Sequence, residues 1–296
     1  MEGKPIELDE LSLNRVLGPP TDVSGVGHPG SSLRQMAFDL YRESAMLLTL
    51  VGSLSAAADL SLSRNHAIEA GLVVRMTKFM TSVLALKADK IREHGEVILT
   101  LNRCIAESAI NLQFFCQAAT EDDYEEYIRS SLRPERDQQK LIERNIEARG
   151  SELPIEARML KSIARVFRLS GVADIAELAR IPKRKDYRKI LEAIGLHDAY
   201  PMLQGVPSHM VHGTWVDVVL HHVEESETGF RAKPEPLRSD ARLLLPTCII
   251  VLHAVRSYIE SRFDSRGAEI LLARIDDLID RVHTINDSHE KTLSSK

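Results

Sequence analysis

The chain has 296 residues, 44% hydrophobic and 27% charged, ordinary globular usage that excludes a disordered or fibrous chain. Its formal net charge of −5 comes from interspersed Lys, Arg, Asp and Glu, so no global field recruits a polyanion or an anionic membrane, and any nucleic-acid contact has to be local. Its three cysteines, Cys104, Cys116 and Cys248, lack CxxC spacing and sit in apolar runs, which excludes a disulfide framework and points to a reducing cytoplasm.

Residues 1–30 hold Gly18, Pro19, Pro20, Gly25, Gly27, Pro29 and Gly30, a density of breakers that predicts a flexible N-terminal arm. No apolar run follows a basic start, so a secretory signal is not expected. A single helical domain is predicted over 31–285. Its first helix, about 32–58, takes Ser31 or Ser32 as N-cap and sets Leu33, Met36, Leu40 and Leu47 near helical spacing. The second, 65–87, is capped by Asn65 and repeats Ile68, Leu72, Met76, Phe79 and Val83 at threes and fours. The third, 93–118, is the most apolar. Residues 121–149 turn strongly charged, and a thin apolar stripe broken at Pro134 predicts a kinked, exposed helix pair. Another helix over 155–169 ends at Gly171, followed by shorter pieces at 174–180 and 186–194. A helix near 206–214 precedes β-branched residues, a polar tip and Gly229, read as a small β-hairpin near 216–233. Helices at 238–263 and 265–285 close the domain, and the polar residues 286–296 form a disordered tail. The apolar run 243–255 falls short of the roughly 20 residues that span a bilayer, so a buried helix and no membrane are expected. The resulting fold is all-α, an up-and-down bundle of the helices at 32–58, 65–87, 93–118 and 238–285. Leftover apolar faces on 65–87 and 265–285 suit a homodimer.

Within the third helix, LTLNRCIAESAINLQFF sets Arg103 and Glu107 four apart, one turn along a single face, with Asn111 continuing the stripe. Leu101, Ile105, Leu112 and Phe115 surround them. A charge enclosed by such neighbours is costly unless paired, so the two are either a solvated ion pair on an exposed edge or are held for function. The segment AYPMLQGVPSHMVHGTW places His209 and His212 three apart behind Pro207, on one helix face. That spacing can ligate a metal with Glu107 as a carboxylate, but it lacks the HExxH or ExxH patterns, so no metal and no cofactor are expected. His212, beside Gly213 and Trp215, reads either as a hydrogen-bonded core histidine, with His209 partly exposed, or as a general base. His221 and His222 adjoin in a strand, face opposite sides and receive no role. The basic run KRKDYRK at 183–189 could touch phosphates and stack a base on Tyr187, although a solvated surface is the commoner meaning of such a run. Arg75 and Lys78 are a weaker cationic pair. No GxxxxGK[ST] loop, GxGxxG turn or GxSxG elbow occurs, which removes the usual support for NTPase, dinucleotide and α/β-hydrolase chemistry.

NRCIAESAINLQFF, with Arg103 and Glu107, then YPMLQGVPSHMVHGTW, with Tyr200, Ser208, His212 and Trp215, and finally HHVEESETGFRAKP together resemble an uncharacterised all-helical microbial family, a domain of unknown function. Its marks are an R-x-x-x-E helix and a later Y…S…H-G segment, and the resemblance spans about 97–232. It carries over Arg103, Glu107, Tyr200, Ser208 and His212 and implies no agreed activity. The helical pattern is also similar, more distantly, to the HEPN group of helical RNase and nucleotide-binding domains, which implies a part in microbial defence, against phage among others. Those RNases set a His shortly after an Arg on one helix, and no central helix here does. RNA cleavage would then need Arg103 and His212 to converge from different helices, with His212 as base and Arg103 stabilising the phosphorane.

Three functions stay open at this stage. In the first, a cytoplasmic binding or effector module lines an internal polar pocket with Arg103, Glu107 and His212, with Tyr200, Ser208 and His209 as further contacts. That pocket would take an anionic ligand, nucleic acid or a partner protein segment. The second is a metal-independent RNase-type enzyme with His212, Arg103 and Glu107 as catalytic residues. The third is a structural interaction module in which the trio only fixes helix register and the Gly/Pro-rich arm docks a partner.

Overall fold

The computed structural model describes residues 8–26, 32–57, 62–88, 93–172, 185–237, 241–263 and 266–294. Inside the expected arm, Asp9 accepts the Ser12 N–H at 2.6 Å and starts α1 (Glu10–Leu17), which buries Leu13 and Leu17. The breakers only bracket this helix, with Gly18 in the left-handed region at φ 76° as its stop. A flexible arm is therefore replaced, over 9–24, by a docked segment.

α2 (Leu33–Ala57) is capped by Ser32, whose Oγ accepts the Gln35 N–H at 3.1 Å. α3 (Arg64–Ala88) is capped by Ser63 at 3.3 Å and not by Asn65, because it begins one residue before that Asn. α4 (Gly95–Gln117) follows. Next come α5 (Glu121–Ser131), α6 (Arg133–Arg149) and α7 (Pro154–Leu169), the first two parted at Leu132 ahead of Pro134. The piece expected at 174–180 lies outside the described residues. α8 (Tyr187–Ala193) leads through a 3₁₀ turn, His197–Ala199, and a π-helical turn, Pro201–Gly205, into α9 (Val206–His212). A short α10 (Trp215–Asp217) runs into a second π-helical turn, Val218–His222, then β1 (Val223–Ser226) and β2 (Gly229–Ala232). The two strands pair antiparallel, Val223 opposite Ala232 and Ser226 opposite Gly229, so the expected hairpin is present. α11 (Ala241–Arg262) and α12 (Arg266–Ser294) close the chain. Extending a packed helix adds a hydrogen bond for each residue fixed, and 286–294 accordingly continue α12 where a disordered tail was expected.

The described residues are all-α apart from that hairpin, and the chain divides into two compact units where one domain over 31–285 was expected. One unit comprises residues 1–117 and 190–296, the other 118–189. In the larger, α4 lies between α3 and α11, α2 packs on α3 and α11, and α12 packs on α11 and α2. Leu40, Leu48, Met76, Ile105, Ile110 and Leu252 are fully buried in this bundle, each worth about 1.5–3 kcal/mol of apolar burial. The span Leu243–Arg262 is long and apolar enough to cross a bilayer, exceeding the 243–255 run, and most of it is buried. Its packing on α4, α2 and α12 accounts for that apolarity. The smaller unit buries Ile142, Ile163 and Phe167 among otherwise charged helices and ties Lys185 Nζ to Asp123 Oδ1 at 2.5 Å.

A buried ion network fastens α1 and its tail to the bundle. Glu43 on α2 receives Arg281 at 2.7 and 2.8 Å and Arg274 at 2.8 Å, both from α12. The Thr21 N–H donates to the same carboxylate at 3.0 Å, while the two arginines donate to Gly18 O and Thr21 O, each at 3.3 Å. Burial alone would raise the Glu43 carboxyl, but the bonds from Arg281 and Thr21 outweigh it and hold it below the usual range.

Candidate functional site

α4 is enclosed on several sides, since α3, α11, the Pro201–Gly205 turn and α9 all pack on it. Its polar residues must therefore be satisfied or open to water. Asn102 donates to Leu243 O and accepts from the buried Tyr41 hydroxyl at 3.3 Å, which places it among scaffold groups. Arg103, next in sequence, turns to Glu107: Nε and Nη2 each lie 3.3 Å from Oε1. Its side chain is 11% exposed and that of Glu107 36%. Asn111 extends the stripe by donating to Glu107 O at 2.7 Å. The pair is thus neither a fully solvated edge nor a sealed core contact.

The other sequence-derived residues lie on the irregular stretch laid over α4. Tyr200, half-buried, ends the 3₁₀ turn, and Ser208, His209 and His212 belong to α9. His209 Nδ1 lies 2.8 Å from Thr214 Oγ1, and the Thr214 N–H donates to His209 O at 3.2 Å. This ties the helix end to α10. Gly213 adopts φ 57°, a left-handed C-cap with open space around it, so the glycine after His212 serves the turn. His212 itself is exposed, contrary to the core-histidine reading, and His209 is half-buried, as that reading had it. The fold thus brings Arg103 and Glu107 together and stacks the element bearing Ser208, His209 and His212 on the same helix.

Several residues in this region carry no motif. Asp217 is buried on α10 with Oδ2 3.3 Å from His222 Nε2, while its Oδ1 finds no hydrogen-bond partner among the described residues. Sequence alternation misplaced His222 in a strand; it sits in a π-helical turn, a geometry that recurs at functional sites. Trp215 and Phe230 are 62% and 58% exposed and meet edge to face at 5.7 Å. At the far side of the segment, the Gly95 N–H donates to Leu237 O at 3.0 Å and the Leu237 N–H donates to Glu96 Oε1 at 2.7 Å. A Cβ on Gly95 would press on that carbonyl, so the glycine is what permits the clamp. Glu69 on α3, fully buried, is gripped by both prongs of Arg262.

Among the described residues no group of three or more His, Cys, Asp or Glu side chains could hold a metal ion. A groove of about 410 Å³ runs between α1 and α12, and none of the six sequence-derived residues lines it. The chain belongs to the DUF5677 family, a family of unknown function, whose profile matches residues 66–230, just over half of the sequence. No curated protein and no solved structure matches it.

Proposed function

We propose that this DUF5677 member is a cytoplasmic binding module in which Arg103, steered by Glu107, receives the anionic group of a ligand where α4 meets the 200–212 segment. The observation that carries the reading is the looseness of the pair. Both contacts are 3.3 Å and converge on one oxygen, whereas charge-assisted bonds are usually about 2.7–2.9 Å. Scaffold pairs in the same unit do reach that range: Arg281 grips Glu43 at 2.7 and 2.8 Å, with both side chains at most 10% exposed. A loose, part-open pair gives way to a competing anion at lower cost than a tight buried one. Tyr200, Ser208, His209 and His212 supply further contacts from the adjoining elements.

Calorimetric titration with inorganic phosphate and a nucleoside monophosphate tests this. Arg103→Gln should abolish binding, and Glu107→Gln, which removes the competing charge, should keep or tighten it. Equal affinity in wild type and Arg103→Gln, or heat from neither probe, would end the reading. If Glu107→Ala and His212→Ala instead unfold the protein, the trio is scaffold.

An RNase-type reading, in line with the distant HEPN likeness and a place in microbial defence, draws support from α9 packing on α4, since His212 and Arg103 lie on those two helices. Incubating RNA with wild type and His212→Ala decides it: background cleavage by both removes the enzyme.

A further inference from the structure

α7 has a face that the binding reading leaves unused. Ile163 and Phe167 turn inward and Glu156, its single acidic residue, is buried against Arg149. On the opposite side Arg158, Lys161, Arg165 and Arg168 are all exposed, and none of their side chains forms a hydrogen bond or ion pair with another described residue. At 100° and 1.5 Å per residue, spacings of three, four and three confine the four to an arc of about 80° and spread them along about 15 Å. Such an array is unusual for a solvated face, which normally alternates signs, as α6 does with Lys140 and Arg144 between Asp137, Glu143 and Glu147. Around it the sequence is locally basic: residues 151–189 contain ten Lys and Arg against five Asp and Glu, in a chain of net −5.

We propose that this face of α7 docks the phosphate backbone of a nucleic acid. Three of the four cations are arginines, whose planar forks match phosphate oxygens, and like charges held in a row without counter-ions among the described residues are relieved by a line of anions. A polyanion supplies such a line; a single phosphate occupies one residue. A bilayer fits less well, because an interfacial helix needs a whole apolar face free to insert: Ile163 and Phe167 are committed to the interior, and the apolar residues left exposed on α7, Ile155, Val166 and Leu169, make only a short stripe beside the cations. Recognition is through charge, independent of base sequence.

The test is the binding of labelled 20-nucleotide RNA and of a DNA duplex to the full chain as salt is varied. With four contacts to a single strand, log K should fall with log salt at a slope of about −3. Arg158→Gln/Arg165→Gln should flatten that slope by about 1.4 and weaken binding roughly tenfold or more at 0.1 M salt. Arg158→Lys/Arg165→Lys, which keeps the charge, should retain the wild-type slope, and this second variant guards against a helix merely lost. Lys140→Gln/Arg144→Gln on α6 should bind as wild type. Binding of neither nucleic acid, an unchanged slope in the double Gln variant, an equal loss in the α6 variant, or binding of phosphatidylserine vesicles in place of nucleic acid overturns the proposal.

Discussion

Replacing Glu43 by Ala removes one carboxylate and leaves two guanidinium groups in the bundle. The Glu43, Arg274 and Arg281 side chains are 5%, 8% and 10% exposed. Three short ion contacts and the Thr21 N–H converge on Glu43, and afterwards Arg281 keeps Asp277 at 2.7 Å while Arg274 keeps the Gly18 carbonyl at 3.3 Å. Removing one member of a buried charge group typically costs about 3–5 kcal/mol, because the remaining charge stays desolvated. Urea unfolding followed by circular dichroism at 222 nm reads this as a midpoint shift of roughly 1–2 M. Trp215 fluorescence is a poor monitor, since the ring is already 62% exposed in the folded chain.

The sign with pH follows from the same contacts. A carboxyl held low in the folded state contributes stability that is complete above its unfolded value and is lost as pH falls through the folded value. Wild type should therefore lose stability more steeply than Glu43→Ala below about pH 4.5. The triple change Glu43→Leu, Arg274→Met and Arg281→Met should recover much of the loss, as apolar replacement of buried ion groups often does. It should nonetheless release residues 18–24, read as faster amide exchange. A loss under 1 kcal/mol for Glu43→Ala would refute the reasoning.

Three further outcomes are expected. Gly95→Ala pushes a Cβ to 2.8 Å from the Leu237 carbonyl carbon and should destabilise by about 1–3 kcal/mol; unchanged amide exchange over 233–237 would show that the clamp is immaterial. Burial drives the Cys116 and Cys248 thiols up to about 12, so at pH 8 both should resist iodoacetamide in the folded protein and react once urea is added. Native-state alkylation of either at the unfolded rate contradicts this. Trp215→Ala removes an exposed ring whose observed partner is Phe230 at 5.7 Å, and the urea midpoint should move by less than about 0.5 kcal/mol in free-energy terms.

Long, strongly periodic stretches were legible. Helices expected at 32–58, 65–87 and 93–118 appear at 33–57, 64–88 and 95–117, because their apolar spacing alone demands a buried stripe. The hairpin at 223–232 was signalled by β-branching and Gly229. What was illegible depends on partners far off in sequence. α1 looked like a loop because its two anchoring leucines are few, and nothing local announces that arginines some 256 and 260 positions later close over Gly18 and Thr21. The division into two units was likewise hidden: the thin stripe of 121–169 is satisfied by α5, α6 and α7 among themselves, a matter of packing with no mark in periodicity.

The candidate site was legible in an uneven way that has a physical cause. Spacing of four exposes an ion pair such as Arg103 and Glu107 to sequence reading, yet an i,i+4 pair is the kind a helix can hold with both ends near water. The tight pairs, Glu43 with Arg281 and the buried Glu69 with the part-exposed Arg262, join positions 238 and 193 apart and leave no local trace. Buried charge in this fold is thus mostly structural and invisible in sequence, while the visible pair is the loose one. Asp217 sharpens the contrast, being buried with one oxygen on His222 and the other unmatched among the described residues. A scaffold would be expected to satisfy both oxygens, so Asp217→Asn is informative: stability gained at the expense of phosphate binding would tie Asp217 to the Arg103 site, and stability lost would assign it to the framework.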